Sequence, residues 1–380
     1  MDQQKNNSAS NSTSGQVIDK INASNGLEPH LNFNHLIIDD YFNLKDAAIL
    51  EEISFNDCRF SAPFELRDVV FDKMVSFKYS VFEGPVIFSK VIFNDILDLR
   101  SCVFKDQVIF EDMEANNKIL INDSKFKKPT EIKRAKFVDD VYFSEAIFEA
   151  KLLIAMSFFN DKALFYNTVF NQLEIVGCKF EKLFDLSCNS QIKHREINYF
   201  NCLNSSFCGG SSFRARNFLG ITVFKDLDFS QVPLFAGATF AQDVTLSNIR
   251  FYDVESEAAQ RNYRILKDVL KNCGDGKKSE FFGKLESKTS YNINKERTRT
   301  ILASIHCKTS NLIRRFLINL RNSSVILIYV IKKHEYKAIT RKIFKTSYRK
   351  LYNYKGLKNL VKSYLKKPEM IRPHKVYTLE

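Results

Sequence analysis

Tryptophan is absent from this 380-residue chain, and so is any apolar run long enough to cross a bilayer. The uninterrupted apolar stretch Val325 to Ile331 falls far below the 20 or so residues that a spanning helix requires. The wider window Leu312 to Ile331 holds about a dozen apolar residues, each favouring insertion by roughly 0.3–0.6 kcal/mol. Arg314, Arg315 and Arg321 oppose it at up to about 3 kcal/mol each, and Asn319 and Asn322 add to that cost. The opening residues, with Gln3, Gln4, Asn6, Asn7 and Ser8, have no apolar core for a signal peptide, so 1–36 is expected to be a disordered polar leader. The eight cysteines form no CxxC pair, which leaves reduced structural thiols of a cytoplasmic protein as the expectation.

Catalytic signatures are missing as well. The six histidines include no pair at metal-ligand spacing, and His306 beside Cys307 is read as coincidence. The run Gly274-Asp275-Gly276-Lys277-Lys278-Ser279 joins the residue types of a phosphate loop, but the glycine required five before the Gly-Lys pair is Lys271, so it reads as a helix-stop turn. There is no nucleophile elbow and no distinctive carboxylate pair. The expectation is a protein that is not an enzyme, with no cofactor, metal or small-molecule substrate.

What the chain does have is a ruler. Phe60, Phe71, Phe82, Phe93 and Phe104 fall eleven residues apart, and the count resumes at Phe126, Phe137, Phe148, Phe159 and Phe170. A second series, six residues downstream of the first, runs through Phe55, Leu66, Phe77, Phe88, Leu99, Phe110, Ile121, Ile132, Phe143, Ile154 and Phe165. On a helix a six-residue step turns roughly 240°, so the two series would not share a face. Inside each unit the pattern alternates instead, with small residues such as Cys58, Ser80, Cys102 and Ala146 two before a Phe, as in a short strand with one buried face.

The six-residue steps carry turn formers, among them Glu83-Gly84, Asn94-Asp95 and Asn160-Asp161, where tight corners are expected. Strand, corner, strand, corner describes a solenoid of β-coils that stacks like residues about 4.8 Å apart. Two eleven-residue units per coil predict about ten coils and a rod on the order of 45–50 Å long. The interior stack is expected to hold Phe60, Phe71, Phe77, Phe82, Phe88, Phe93, Phe104, Phe110, Phe137, Phe143, Phe148, Phe159, Phe165 and Phe170. It continues with Phe218, Phe224, Phe229, Phe235 and Phe240, each ring contributing roughly 1.5–3 kcal/mol. The ruler runs from Ile38 and Leu44 to Phe251, with lapses at 111–120 and 181–206. In the second lapse Lys193-His194-Arg195 is a candidate contact site, against a plain tolerated insertion.

Ala135-Lys136-Phe137, Ala146-Ile147-Phe148 and Ala238-Thr239-Phe240 carry a small-x-Phe signature that resembles the Phe-rich branch of the pentapeptide-repeat family. The resemblance implies a mainly β fold, a right-handed quadrilateral β-helix, here followed by an α-helical C-terminal region. The residue before the central Phe departs from the common Asp or Asn, being Val81, Val103, Lys136 or Ile147. The family also includes rods that resemble duplex DNA in size and negative charge and regulate enzymes such as DNA gyrase, and others whose rod precedes membrane-spanning helices.

The expected organisation is a leader at 1–36, the β-helix at 37–252, a helical capping segment at 253–298 and a basic helical tail at 299–380. Asp253 is the expected N-cap of a helix that buries Ala259, Tyr263, Leu266 and Leu270, and a second helix is expected from Ser279. Residues 38–252 carry 25 basic and 30 acidic side chains, whereas 253–380 carry 30 and 11. Arg314, Arg315, Arg321, Lys332, Lys333, Arg341 and Lys342 are candidate contacts to an anionic membrane surface. The tail also fits a solvated or protein-binding domain, or nucleic acid. The first functional expectation is a non-enzymatic scaffold with an unidentified protein partner, cytoplasmic and held peripherally at the inner membrane face. The alternatives are a DNA-mimicking regulator of a DNA-handling enzyme and a degenerate channel- or transporter-associated protein.

Overall fold

The computed structural model describes residues 10–24, 26, 28–189, 191, 195–241, 244–333 and 377–379, with the backbone alone for Ser10, 305–333 and 377–379. Short parallel strands wind into a β-solenoid of about ten turns, followed by two helices. Each strand pairs with the equivalent strand of the next coil, so Val81–Phe82 lies beside Val103–Phe104, a step of 22 residues. A coil therefore contains two eleven-residue units, and each series of the ruler divides into two interior columns.

The columns are piles of rings. Phe60, Phe82, Phe104, Phe126 and Phe148 follow one another at 4.8, 4.9, 4.6 and 4.6 Å with nearly parallel planes. Phe137, Phe159, Phe180, Phe207 and Phe229 form a second pile at 4.7–5.0 Å. Phe71 stacks on Phe93, Phe143 on Phe165, Phe213 on Phe235 and Phe218 on Phe240. The column that passes through Leu66, Phe88 and Phe110 differs, because Phe88 and Phe110 meet at 64°. Aliphatic Ile132, Ile154 and Ile175 and the smaller Cys202 share that column. In the lapse at 111–120 the winding continues, and Ala115 keeps register between Phe93 and Phe137.

The corners differ from the sequence expectation. Left-handed residues recur every eleven positions, at His35, Asp46, Asp57, Asp68, Tyr79, Lys90 and onward, and they lie in the five-residue steps. Nine of these 17 non-glycine positions are Asp or Asn, the side chains that adopt this conformation at least cost. The six-residue steps contain no such residue among those described. Gly84 is required there for a different reason: a Cβ would lie 2.7 Å from the Ala62 carbonyl carbon and the Pro63 nitrogen in the coil below.

The expected leader is also corrected. Ser14–Ser24 is a helix, α1, whose Val17 and Ile21 enter the hydrophobic core. The Asp40 carboxylate accepts from the Ser14 backbone N–H and hydroxyl, both at 2.8 Å, and Glu51 accepts from the Ser24 hydroxyl at 2.6 Å. Val17 and Ile21 stand one helical turn apart, a signal too short to stand out within a polar segment. His30–Asn32 already pairs with Glu52–Ser54, and Phe33 stacks on Phe55, so the winding starts before residue 37.

At the other end α2 (Glu257–Asn272) buries Ala259, Tyr263, Leu266 and Leu270. Its N-cap is Ser256, which accepts from Ala259 N–H at 2.9 Å, while Asp253 accepts from Ser256 N–H at 3.0 Å. α3 starts at Gly276 rather than Ser279 and runs unbroken to Lys333, so the expected boundary at 298/299 falls inside a helix. Phe282 and Tyr263 pack on Phe251, closing the apolar end of the last coil. By their contacts residues 1–292 with 376–380 form one compact unit and 293–375 another.

Candidate functional surface

Two residues before the column of Phe60 and Phe82, at the preceding inward position, lies a rail of small residues. Ser80 donates to the Phe55 carbonyl at 2.6 Å and accepts from Cys58 N–H at 2.9 Å. Ser124 repeats the contact with Leu99 and Cys102, and Thr168 with Phe143. The Cys58 and Cys102 thiols donate to Phe33 and Phe77 in the same way. Burial pushes the Cys58 thiol up to about 12 and that of Cys178 to about 11, which keeps both protonated and unreactive at neutral pH.

Arg216 occupies this rail near the second lapse and is fully buried. Its guanidinium donates to the carbonyls of Leu186, Thr168 (2.7 Å) and Phe165 (3.2 Å), and lies 5.5 Å from the Phe170 ring. Burial lowers its pKa to about 10. Sequence reading missed it, although an arginine two before a column Phe, where Ser, Cys or Ala is the rule, was a visible signal. Of the candidate contact Lys193-His194-Arg195, the first two residues lie outside the described ones, and the Arg195 carbonyl accepts from Asn217 N–H at 3.1 Å.

Outside, charges of opposite sign pair across neighbouring coils: Lys105 with Glu83, Lys136 with Glu114, Arg134 with Asp112, and Arg250 with Asp228. Asp139, Asp140 and Asp161 bring carboxylate oxygens within 4.8 Å of one another. Asp140 accepts from the Tyr142 hydroxyl at 2.9 Å and has the Lys162 ammonium at 3.3 Å, so the local positive charge comes from the protein itself.

One face of the solenoid is built from four-residue strand segments in register, among them 64–67, Val86–Ser89, Val108–Glu111 and Thr130–Lys133. Its outward side chains stack in register: Ala155 on Val176, Val176 on Leu203, and Leu203 on Lys225. Leu153 stands beside this row, and Met156 at its corner is 59% exposed. Lys133 and Glu131 border the strip in the preceding coil. Three coils thus present an apolar strip flanked by mixed charge, a pattern hidden in the sequence because its members lie 21 and 27 residues apart.

The candidate membrane contacts Arg314, Arg315, Arg321, Lys332 and Lys333 lie on α3, whereas Arg341 and Lys342 lie outside the described residues. Before them on the same helix Ile301 is 59% and Leu302 46% exposed. Among the described residues no helix is long and apolar enough to cross a membrane.

Residues 55–103 match the family model described as pentapeptide repeats (9 copies). No curated protein and no solved structure matches the chain.

Proposed function

From the premise of a pentapeptide-repeat β-solenoid, we propose that the chain is a non-enzymatic scaffold that docks a protein partner on its flat strand face. The observation that carries this reading is the outward row of Ala155, Val176 and Leu203, held in register on a rigid ladder, with Leu153 and the exposed corner residue Met156 beside it. Such a surface pays little ordering entropy on binding, and an apolar centre with a charged rim is the usual anatomy of a protein interface. The cross-coil ion pairs spread both signs over the rod, which favours protein docking over mimicry of a uniformly anionic duplex.

The test is a pull-down from host extract with the full chain and with Val176→Glu/Leu203→Glu. Both positions face outward, so the double variant should keep the melting transition of the parent and lose the captured partner. An unchanged set of captured proteins would sink the docking face. We further propose that the basic α3 segment bearing Arg314, Arg315 and Arg321 rests on an anionic membrane surface, a reading supported by exposed Ile301 and Leu302 on the same helix. Flotation of the full chain with phosphatidylserine vesicles, and not with phosphatidylcholine vesicles, is the expected outcome.

A further inference from the structure

Every strand pairing within the solenoid runs parallel, as winding demands, and among the described residues one pairing alone runs the other way. Tyr377–Leu379 lies antiparallel to the last coil strand, Val244–Phe251, with Leu379 opposite Ile249, Thr378 opposite Arg250 and Tyr377 opposite Phe251. An antiparallel strand cannot continue the coil, so this one is an added piece rather than a further turn. It covers the Ile249–Phe251 edge of the last coil. The Cys273 thiol caps the Phe240 carbonyl at 3.4 Å, and the Lys278 ammonium caps that of Val244 at 3.1 Å. The Phe282 and Tyr263 rings cover Phe251 from the interior side. Ile249–Phe251 would otherwise show an unpaired strand edge, which is a template for strand addition.

We propose that Ile249–Phe251 is a strand-acceptor site and that its occupant is exchanged between copies, the Tyr377–Leu379 strand of one chain seating on the last coil of a second. Three features of the chain carry this assignment. The pairing is made through the backbone, so an acceptor cannot tell its own strand from that of an identical chain. The strand is separated from α3 by 43 residues, 334–376, a sequence distance ample for reach in either direction. Val376-Tyr377-Thr378-Leu379 combines β-branched and aromatic residues suited to an added edge strand. Swapping of an identical element between protomers costs little, because the contacts made are those already present within one chain.

The experiment mixes two differently tagged full chains, captures one tag and probes for the other, with light scattering across a dilution series. The expected result is a dimer that grows with concentration, is dispersed by excess synthetic peptide spanning residues 371–380, and is lost in Tyr377→Pro, which removes the backbone donor that faces Phe251. Tyr377→Phe retains that donor and should retain the dimer, and the thermal transition of each variant shows that the solenoid is intact. A chain that stays monomeric at every concentration overturns the proposal. So does a dimer indifferent to both Tyr377→Pro and the peptide. Either result leaves the docking face untouched, since that face is tested by partner capture on Val176 and Leu203.

Discussion

The coils between Ile53 and Leu152 and the coil interrupted near residue 190 meet the same packing demand by different means. In the regular coils a compact Ser, Cys or Thr on the inner rail bonds a carbonyl one coil back and leaves room for stacked rings. In the interrupted coil eleven residues separate Leu186 from Ile197, where five separate Phe165 from Phe170 in the coil before it. The rail is then completed from the following coil by Arg216, which spans two coils to reach Phe165, Thr168 and Leu186. What recurs from coil to coil is therefore interior volume, with a side-chain donor to an inward carbonyl at most rail positions, and a long side chain can supply both.

The comparison is sharpened most by removing a ring from the regular stack. Phe104→Ala, between Phe82 and Phe126, should cost about 3–5 kcal/mol in denaturant unfolding, because neither neighbour can collapse into the gap while its own strand is paired. Arg216→Ala should cost less, about 2–4 kcal/mol, since the loss of its carbonyl partners is offset in part by relief of a buried charge. Arg216→Lys should recover only part of that loss, because an ammonium lacks the planar fork that reaches several carbonyls at once. If Arg216→Ala unfolds like the parent chain, the arginine is not a substitute for the rail. The smallest effect has the opposite sign: Tyr79→Gly, at a 64% exposed corner with φ 61°, should stabilise by about 0.5–1 kcal/mol, seen as a raised unfolding midpoint.

Much of this was legible because a solenoid turns three-dimensional neighbours into a fixed sequence interval. Phe60, Phe82 and Phe104 announce their column by spacing, and the small residue two before each announces the rail. Three features were not legible. The docking of α1 rests on Val17, Ile21 and two hydrogen-bonded carboxylates distant in sequence, a pattern no local period reveals. The left-handed corners fall on Asp57, Tyr79 and Ser101 alike, since tertiary stacking imposes the conformation whatever the side chain prefers. The apolar strip at Val176 and Leu203 needs the actual register, which the interrupted coil shifts from 22 to 27 residues.

The sequence by itself determined the winding: an eleven-residue alternation of large and small side chains admits a stack of coils and excludes a helical seam, because only a β-coil places both series inside. Which outward residues become neighbours, how the ends are closed and where a buried arginine replaces a hydroxyl were decided by the tertiary structure. Those outcomes depend on distances between coils and on hydrogen-bond partners brought together by stacking, and neither quantity exists until the chain has wound.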